Sequence, residues 1–260
     1  MQLVRNTRPA ERFLEQQRIL DRHSLIRQRM PEEGARHIGR HQIFERERLL
    51  FFHIVSCKLF KAAAMGVLAG GHDRITQHGG IRLMEITFDQ KNPASFQATA
   101  GAIRAIGEAY AGKMMVGAGT VPTPELVELA ASAGAQYIIS PDVNVDVIHR
   151  TRELGLVALP GAMTPTEVMT AHLAGADFVK LFPAGNLGIS YVKAIRAPIS
   201  HVKLLAVGGV NEDNVADFLH AGMVGAGVGG NLANKKWIEA GEYDKITQTA
   251  RKLLDAVKNA

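Results

Sequence analysis

Residues 177–184 read DFVKLFPA, a short apolar strand with a single lysine at its centre. Strand alternation sets Phe178, Lys180 and Phe182 on one side and Val179 and Leu181 on the other. Upstream, Thr164-Pro165-Thr166-Glu167 opens a helix with a capping residue followed by proline, and Ala174-Gly175 supplies a helix-stop glycine. Downstream, KLLAV at 203–207 is the next apolar strand. A strand entered from one helix and left toward another belongs to a parallel sheet covered by helices.

The same unit repeats in both directions. Strands are expected at 81–88, 114–118, 136–140, 156–159 and 223–228, besides the two already read. Thr123-Pro124-Glu125 opens a helix over 123–133, and Asn211 is placed to cap another over 212–221. Ala133-Gly134 and Ala221-Gly222 end these helices as Ala174-Gly175 does. A closing amphipathic helix over 242–258 groups Ile246, Ala250, Leu253, Leu254 and Val257 on one face. An eighth strand is needed upstream, and LLFFHIVSC at 49–57 is the candidate, with a helix-like stretch near 58–69 and a break at GGHDRITQHGG, 70–80. Eight such units favour a closed (β/α)8 TIM barrel of the α/β class, spanning 49–260, over an open doubly wound sheet.

Residues 1–48 lack that periodicity and form an irregular, Arg-rich extension. Residues 1–57 carry eleven Arg against seven Asp and Glu, so the basic pI near 9.4 comes from this segment and the rest is nearly neutral. The extension reads as a disordered or loosely helical tail, with a basic nucleic-acid arm or a non-native beginning as alternatives. No aromatic–basic pattern of the kind nucleic-acid binding favours accompanies the charges, so no nucleic-acid partner is expected. No apolar run approaches the roughly 18 residues that a membrane crossing requires. The opening residues have no export signal, and the lone Cys57 forms no internal disulfide, which suits a reducing cytoplasm.

Lys180 has only apolar strand neighbours. Such a lysine either snorkels to the rim as a structural residue or loses part of its proton affinity to burial and serves as a nucleophile. Glu85 lies near the C-terminal end of strand 81–88, on the face of Ile81, Leu83 and Thr87. Barrel enzymes keep their catalytic groups at that end. It is either an acid–base group or a buried partner for a structural cation; with an amine nucleophile nearby, it suits carbonyl chemistry through an imine. Gly117-Ala118-Gly119-Thr120 follows a strand and leaves the Thr120 hydroxyl at the barrel mouth. Gly208-Gly209 and Gly229-Gly230-Asn231 follow the seventh and eighth strands, where backbone N–H groups commonly hold phosphate. Six of the ten histidines precede residue 80, and none in the barrel has metal-ligand spacing, so no metal is expected.

The segments GGIRLMEITF (79–88), VGAGTV (116–121), GAQYIISP (134–141), LPGAMTPTE (159–167), DFVKLFPA (177–184), VGGVNEDNV (207–215) and GVGGNL (227–232) follow in order within a stretch from about 79 to 258, roughly 70% of the chain. The chain resembles the class I aldolases that act on 2-keto-3-deoxy-6-phosphogluconate and 4-hydroxy-2-oxoglutarate. The resemblance implies imine formation at Lys180, proton transfer by Glu85, carboxylate contact by Thr120 and a pocket wall at Phe182. It further implies phosphate binding at the two late glycine turns, a phosphorylated keto acid as substrate, no cofactor, and a homotrimer. Three departures accompany it. Asp89 stands where many members carry arginine, Val207 stands where many carry threonine, and the first strand and helix fit poorly. The Val207-Gly208-Gly209 form resembles the phosphogalactonate-cleaving relatives. A non-catalytic phosphosugar-binding barrel is the rival reading from outside enzymes.

Overall fold

Parallel pairing runs through the whole sheet of the computed structural model, which describes residues 49–54 and 79–260. The strands are β1 (Leu49–Ile54), β2 (Leu83–Thr87), β3 (Met115–Gly119), β4 (Tyr137–Ile139), β5 (Val157–Leu159), β6 (Gly161–Ala162), β7 (Val179–Leu181), β8 (Leu204–Val207) and β9 (Gly225–Val228). The described helices are α1 (Phe96–Ala109), α2 (Pro124–Ser132), α3 (Val145–Glu153), α4 (Pro165–Leu173), α5 (Ala184–Arg196), α6 (Val215–His220), α7 (Lys235–Glu239) and α8 (Tyr243–Lys258).

Sheet order is β5-β4-β3-β2-β1-β9-β8-β7-β6. The two outermost segments, β5 and β6, are consecutive in the chain with only Pro160 between them. Proline has no N–H to give to a ladder, and the chain around it bonds on both flanks, the Ala158 carbonyl already accepting from Asp177 and Phe178 N–H at 3.1 and 3.3 Å. Before Pro160, the Leu159 carbonyl accepts from Ser140 N–H beside β4 at 3.4 Å. At Pro160 and beyond, Lys180 N–H donates to the Pro160 carbonyl at 2.9 Å and Phe182 N–H to the Ala162 carbonyl at 3.0 Å. The sheet thus returns on itself and is barrel-like.

Each strand expected beyond residue 80 is present, with ends displaced by a few residues: 114–118 is found as Met115–Gly119, and 156–159 continues past Pro160 as β6. The outward faces are apolar. Met84 and Ile86 of β2, Val116 and Ala118 of β3, and Val179 and Leu181 of β7 join one buried cluster with Ile103 and Ile106 of α1, Val127 of α2 and Val168 of α4. Each such large aliphatic side chain contributes roughly 1.5–3 kcal/mol by leaving water. In α8, Ile246, Ala250, Leu253 and Val257 are buried as their spacing requires, and Leu254 is half-buried at the margin.

Thr123 accepts from Leu126 N–H, and Thr164 with Glu167 forms a full capping box, so the Thr-Pro signals start α2 and α4 as read. Asn211 differs. Its Oδ1 accepts from Asp213 and Asn214 N–H at 2.9 and 3.2 Å, which makes a turn over 212–214, and the helix begins only at Val215. A short polar side chain bonding two residues ahead stabilises a turn as readily as a helix start. The extension over 1–48, residues 55–57 of the first expected strand and the helix-like stretch at 58–69 lie outside the described residues.

Candidate active site

Glu85 sits on β2 in register with Gly117 of β3, and Thr87 in register with Gly119. The two glycines decide what fits beside them. A Cβ at Gly119 would overlap the Glu85 carboxylate, and a Cβ at Gly117 would overlap the ring of Tyr137 from β4. Strand β3 therefore gives up two side chains to house a carboxylate and a phenol inside the sheet. Glu85 is 3% exposed, and Thr87 beside it is also buried, its Oγ1 without a hydrogen-bond partner among the described residues. Burial, and then the negative charge of Glu85, push the Tyr137 hydroxyl well above its ordinary pKa, so it stays protonated.

Lys180 lies on β7, in register with Gly161 and Leu205, and is 8% exposed. Burial lowers the pKa of its ammonium group, while the charge of Glu85 pulls it the other way. Desolvation is the larger effect, so the free amine is more accessible than in water. The ammonium lies 4.8 Å from the centroid of the Phe182 ring, within cation–π range. That ring is 41% exposed at the mouth and also covers Gly208, where an added Cβ would lie 3.0 Å from it.

Thr120 follows β3 with φ of 53°, the only non-glycine residue with left-handed backbone among those described. For a β-branched residue this conformation is a real outlier, costing on the order of 1–3 kcal/mol. The Gly208-Gly209 turn also has positive φ, at 86° and 75°, which glycine adopts without strain. Its carbonyls are tied back: Gly185 N–H donates to Gly208 at 2.7 Å and Asn214 Nδ2 to Gly209 at 2.9 Å.

These parts surround one cavity of about 300 Å³, the low end of the range for small-molecule sites. It is lined by Thr120, Lys180, Phe182, Gly208, Gly209, Gly229, Gly230 and Asn231, all singled out from the sequence. Glu85 is not in the lining; its carboxylate packs against Gly119, and its charge bears on Lys180. Pro141, Val210 and Gly227 complete the wall together with Val207. Pro141 and Gly227 stand at or just beyond strand ends inside the quoted motifs, a positional signal that could have marked them. Asp89 points its carboxylate at its own loop and accepts from Lys91 N–H at 3.0 Å. No group of three His, Cys, Asp or Glu among the described residues is arranged to hold a metal ion, and no described helix is long and apolar enough to cross a membrane.

The family model for KDPG and KHG aldolase matches residues 73–249. The 2-dehydro-3-deoxy-6-phosphogalactonate aldolase of Escherichia coli K12 is 42% identical over 160 residues, 61% of this chain and 76% of that protein. The KHG/KDPG aldolase of the same strain is 33% identical over 181 residues, 69% of this chain and 82% of that one. Among solved structures, one described as native KDPGal covers 81% of this chain and 94% of its own, at 32% identity and a TM-score of 0.66.

Proposed function

This chain belongs to the KDPG and KHG aldolase family and is an aldehyde-lyase, and from that premise we propose that it works through a Schiff base on Lys180. The reading includes the closed (β/α)8 barrel, with Glu85 as proton shuttle. The substrate it assigns is a phosphorylated 2-keto-3-deoxy sugar acid, 2-dehydro-3-deoxy-6-phosphogluconate being the first choice, with the unphosphorylated 4-hydroxy-2-oxoglutarate as a further substrate. The observation that carries it is a buried lysine at the wall of a cavity, its ammonium disfavoured by desolvation, with the charge of a buried carboxylate bearing on it.

The Lys180 amine attacks the C2 ketone, and Glu85 delivers the proton with which the carbinolamine hydroxyl leaves as water. Loss of the C4 hydroxyl proton to a base then breaks the C3–C4 bond, and the electron pair moves into the protonated imine. Glyceraldehyde 3-phosphate departs, leaving an enamine. Protonation at C3 and hydrolysis of the imine release pyruvate and return the free amine. Thr120 contacts the carboxylate, Phe182 walls the pocket, and Gly208, Gly209, Gly229, Gly230 and Asn231 hold the phosphate through backbone and amide donors. We extend the reading to a homotrimer acting in the cytoplasm, in Entner–Doudoroff-type carbohydrate metabolism.

Borohydride reduction in the presence of pyruvate, read by intact mass and peptide mapping, is the test. One reduced pyruvate per chain on Lys180 is expected, and Lys180→Met should give none and lose turnover by about 10³-fold or more. An adduct elsewhere, or full activity in Lys180→Met, would overturn the assignment. The galactonate epimer is a second reading, favoured by the higher identity of 42% and by Val207 in the cavity wall. The ratio of kcat/KM for the two epimers decides between them.

A further inference from the structure

Among the residues lining the cavity, Thr120 carries the only hydroxyl, and its left-handed backbone is one a β-branched residue does not hold unaided. Three hydrogen bonds hold its peptide units. Phe88 N–H donates to the Gly119 carbonyl at 3.0 Å, Val121 N–H to the Ile139 carbonyl at 3.2 Å, and Gln90 Nε2 to the Thr120 carbonyl at 2.9 Å. The first two join backbone to backbone and would survive most changes of side chain. The third depends on one residue, exposed in the loop after β2.

We propose that Gln90 is a positioning residue that holds Thr120 by its carbonyl and so keeps the threonine hydroxyl at the carboxylate end of the keto acid. The proposal rests on the Schiff-base reading above. In that reading the carboxylate is bonded to C2, the carbon that Lys180 attacks, so it must lie among groups that share the cavity with Lys180. Asp89 brings no positive charge to that place, since its carboxylate accepts from Lys91 N–H within its own loop. The loop after β2 therefore acts on the substrate through its neighbour. Released from Gln90, the Thr120 peptide can relax toward negative φ, and the hydroxyl turns away from the cavity.

The test measures, by borohydride trapping, the pyruvate concentration that half-saturates the Lys180 adduct. Wild type is compared with Gln90→Leu, Gln90→Glu, Thr120→Ala and the double variant Gln90→Leu/Thr120→Ala. Gln90→Leu should raise the half-saturating concentration roughly 3- to 10-fold, the effect of one hydrogen bond, with adduct yield at saturation and melting temperature near wild type. Gln90→Glu keeps the shape but has no donor at neutral pH, so it should be at least as weak as Gln90→Leu. With Thr120 already changed to alanine, the loss of Gln90 should add nothing. An unchanged half-saturation in Gln90→Leu, wild-type behaviour in Gln90→Glu, or a full additive loss in the double variant would overturn the proposal and leave the aldolase reading intact. Failure of the wild-type protein to trap pyruvate at Lys180 would instead overturn both.

Discussion

Glu85 and Gly119 form a pair in which the carboxylate takes up the space the glycine leaves empty. Gly119→Ala should push that carboxylate aside, reducing turnover and destabilising the fold by about 1–3 kcal/mol in urea titration, the usual effect of overpacking. Glu85→Gln keeps the volume and removes the ionisable carboxyl that can give and take a proton, so turnover should fall roughly 10²- to 10⁴-fold while pyruvate binding persists. Unchanged steady-state rates in either variant would remove Glu85 from the proton path. At this scale much of the site is legible in the sequence. Lys180 and Glu85 announce themselves as charges among apolar strand neighbours, and Gly208, Gly209, Gly229 and Gly230 as glycines following strands. Gln90 does not, because a side chain bonding to a backbone carbonyl thirty residues away depends on loop conformation alone. That Glu85 stays outside the cavity lining is hidden for a related reason: alternation gives a face, and only the missing side chain at Gly119 shows where the carboxylate fits.

Helix starts were the firmest reading among the elements, because each carries its own local chemistry. In α4, Thr164 Oγ1 accepts from Glu167 N–H at 3.3 Å, and the Glu167 carboxylate accepts from Met163 and Thr164 N–H at 2.9 and 2.8 Å. Those donors hold the Glu167 carboxyl below its ordinary value. Thr164→Ala should cost about 1 kcal/mol in denaturant unfolding, with pyruvate trapping at Lys180 unaffected. A change beyond the noise in trapping would mean that α4 matters to the site as well as to the fold. Asn211 and Pro160 show where element reading stops. Asn211 carries the same chemistry into a turn, and the continuation of β5 as β6 across a proline depends on pairing partners remote in sequence.

Across the whole molecule, stability should depend on pH through a histidine outside the cavity lining. His172, in the last turn of α4, meets His201 edge to face with ring centroids 5.2 Å apart. Burial first, and the charge of His201 second, hold the His172 imidazole below its ordinary value. The folded chain therefore takes up a proton there less readily than the unfolded chain. The stability this residue contributes is present in full above the unfolded value of about 6.5 and is lost as pH falls through it toward the folded value. The melting temperature should drop between about pH 7.5 and about pH 5.5, and His172→Gln should flatten that slope. An identical slope in the variant would assign the loss to other groups. The return of the sheet on itself at Pro160 has a consequence of another kind. Closed as proposed above, a ring of strands has no outermost member, so no row of backbone donors and acceptors is left for a neighbouring chain to pair with. Excising β1 would create two such rows at once, along β2 and β9, its partners on either side. A fragment starting near residue 79 would thus be a sticky open sheet prone to aggregation, and the first strand earns its place as much by keeping molecules apart as by holding one together.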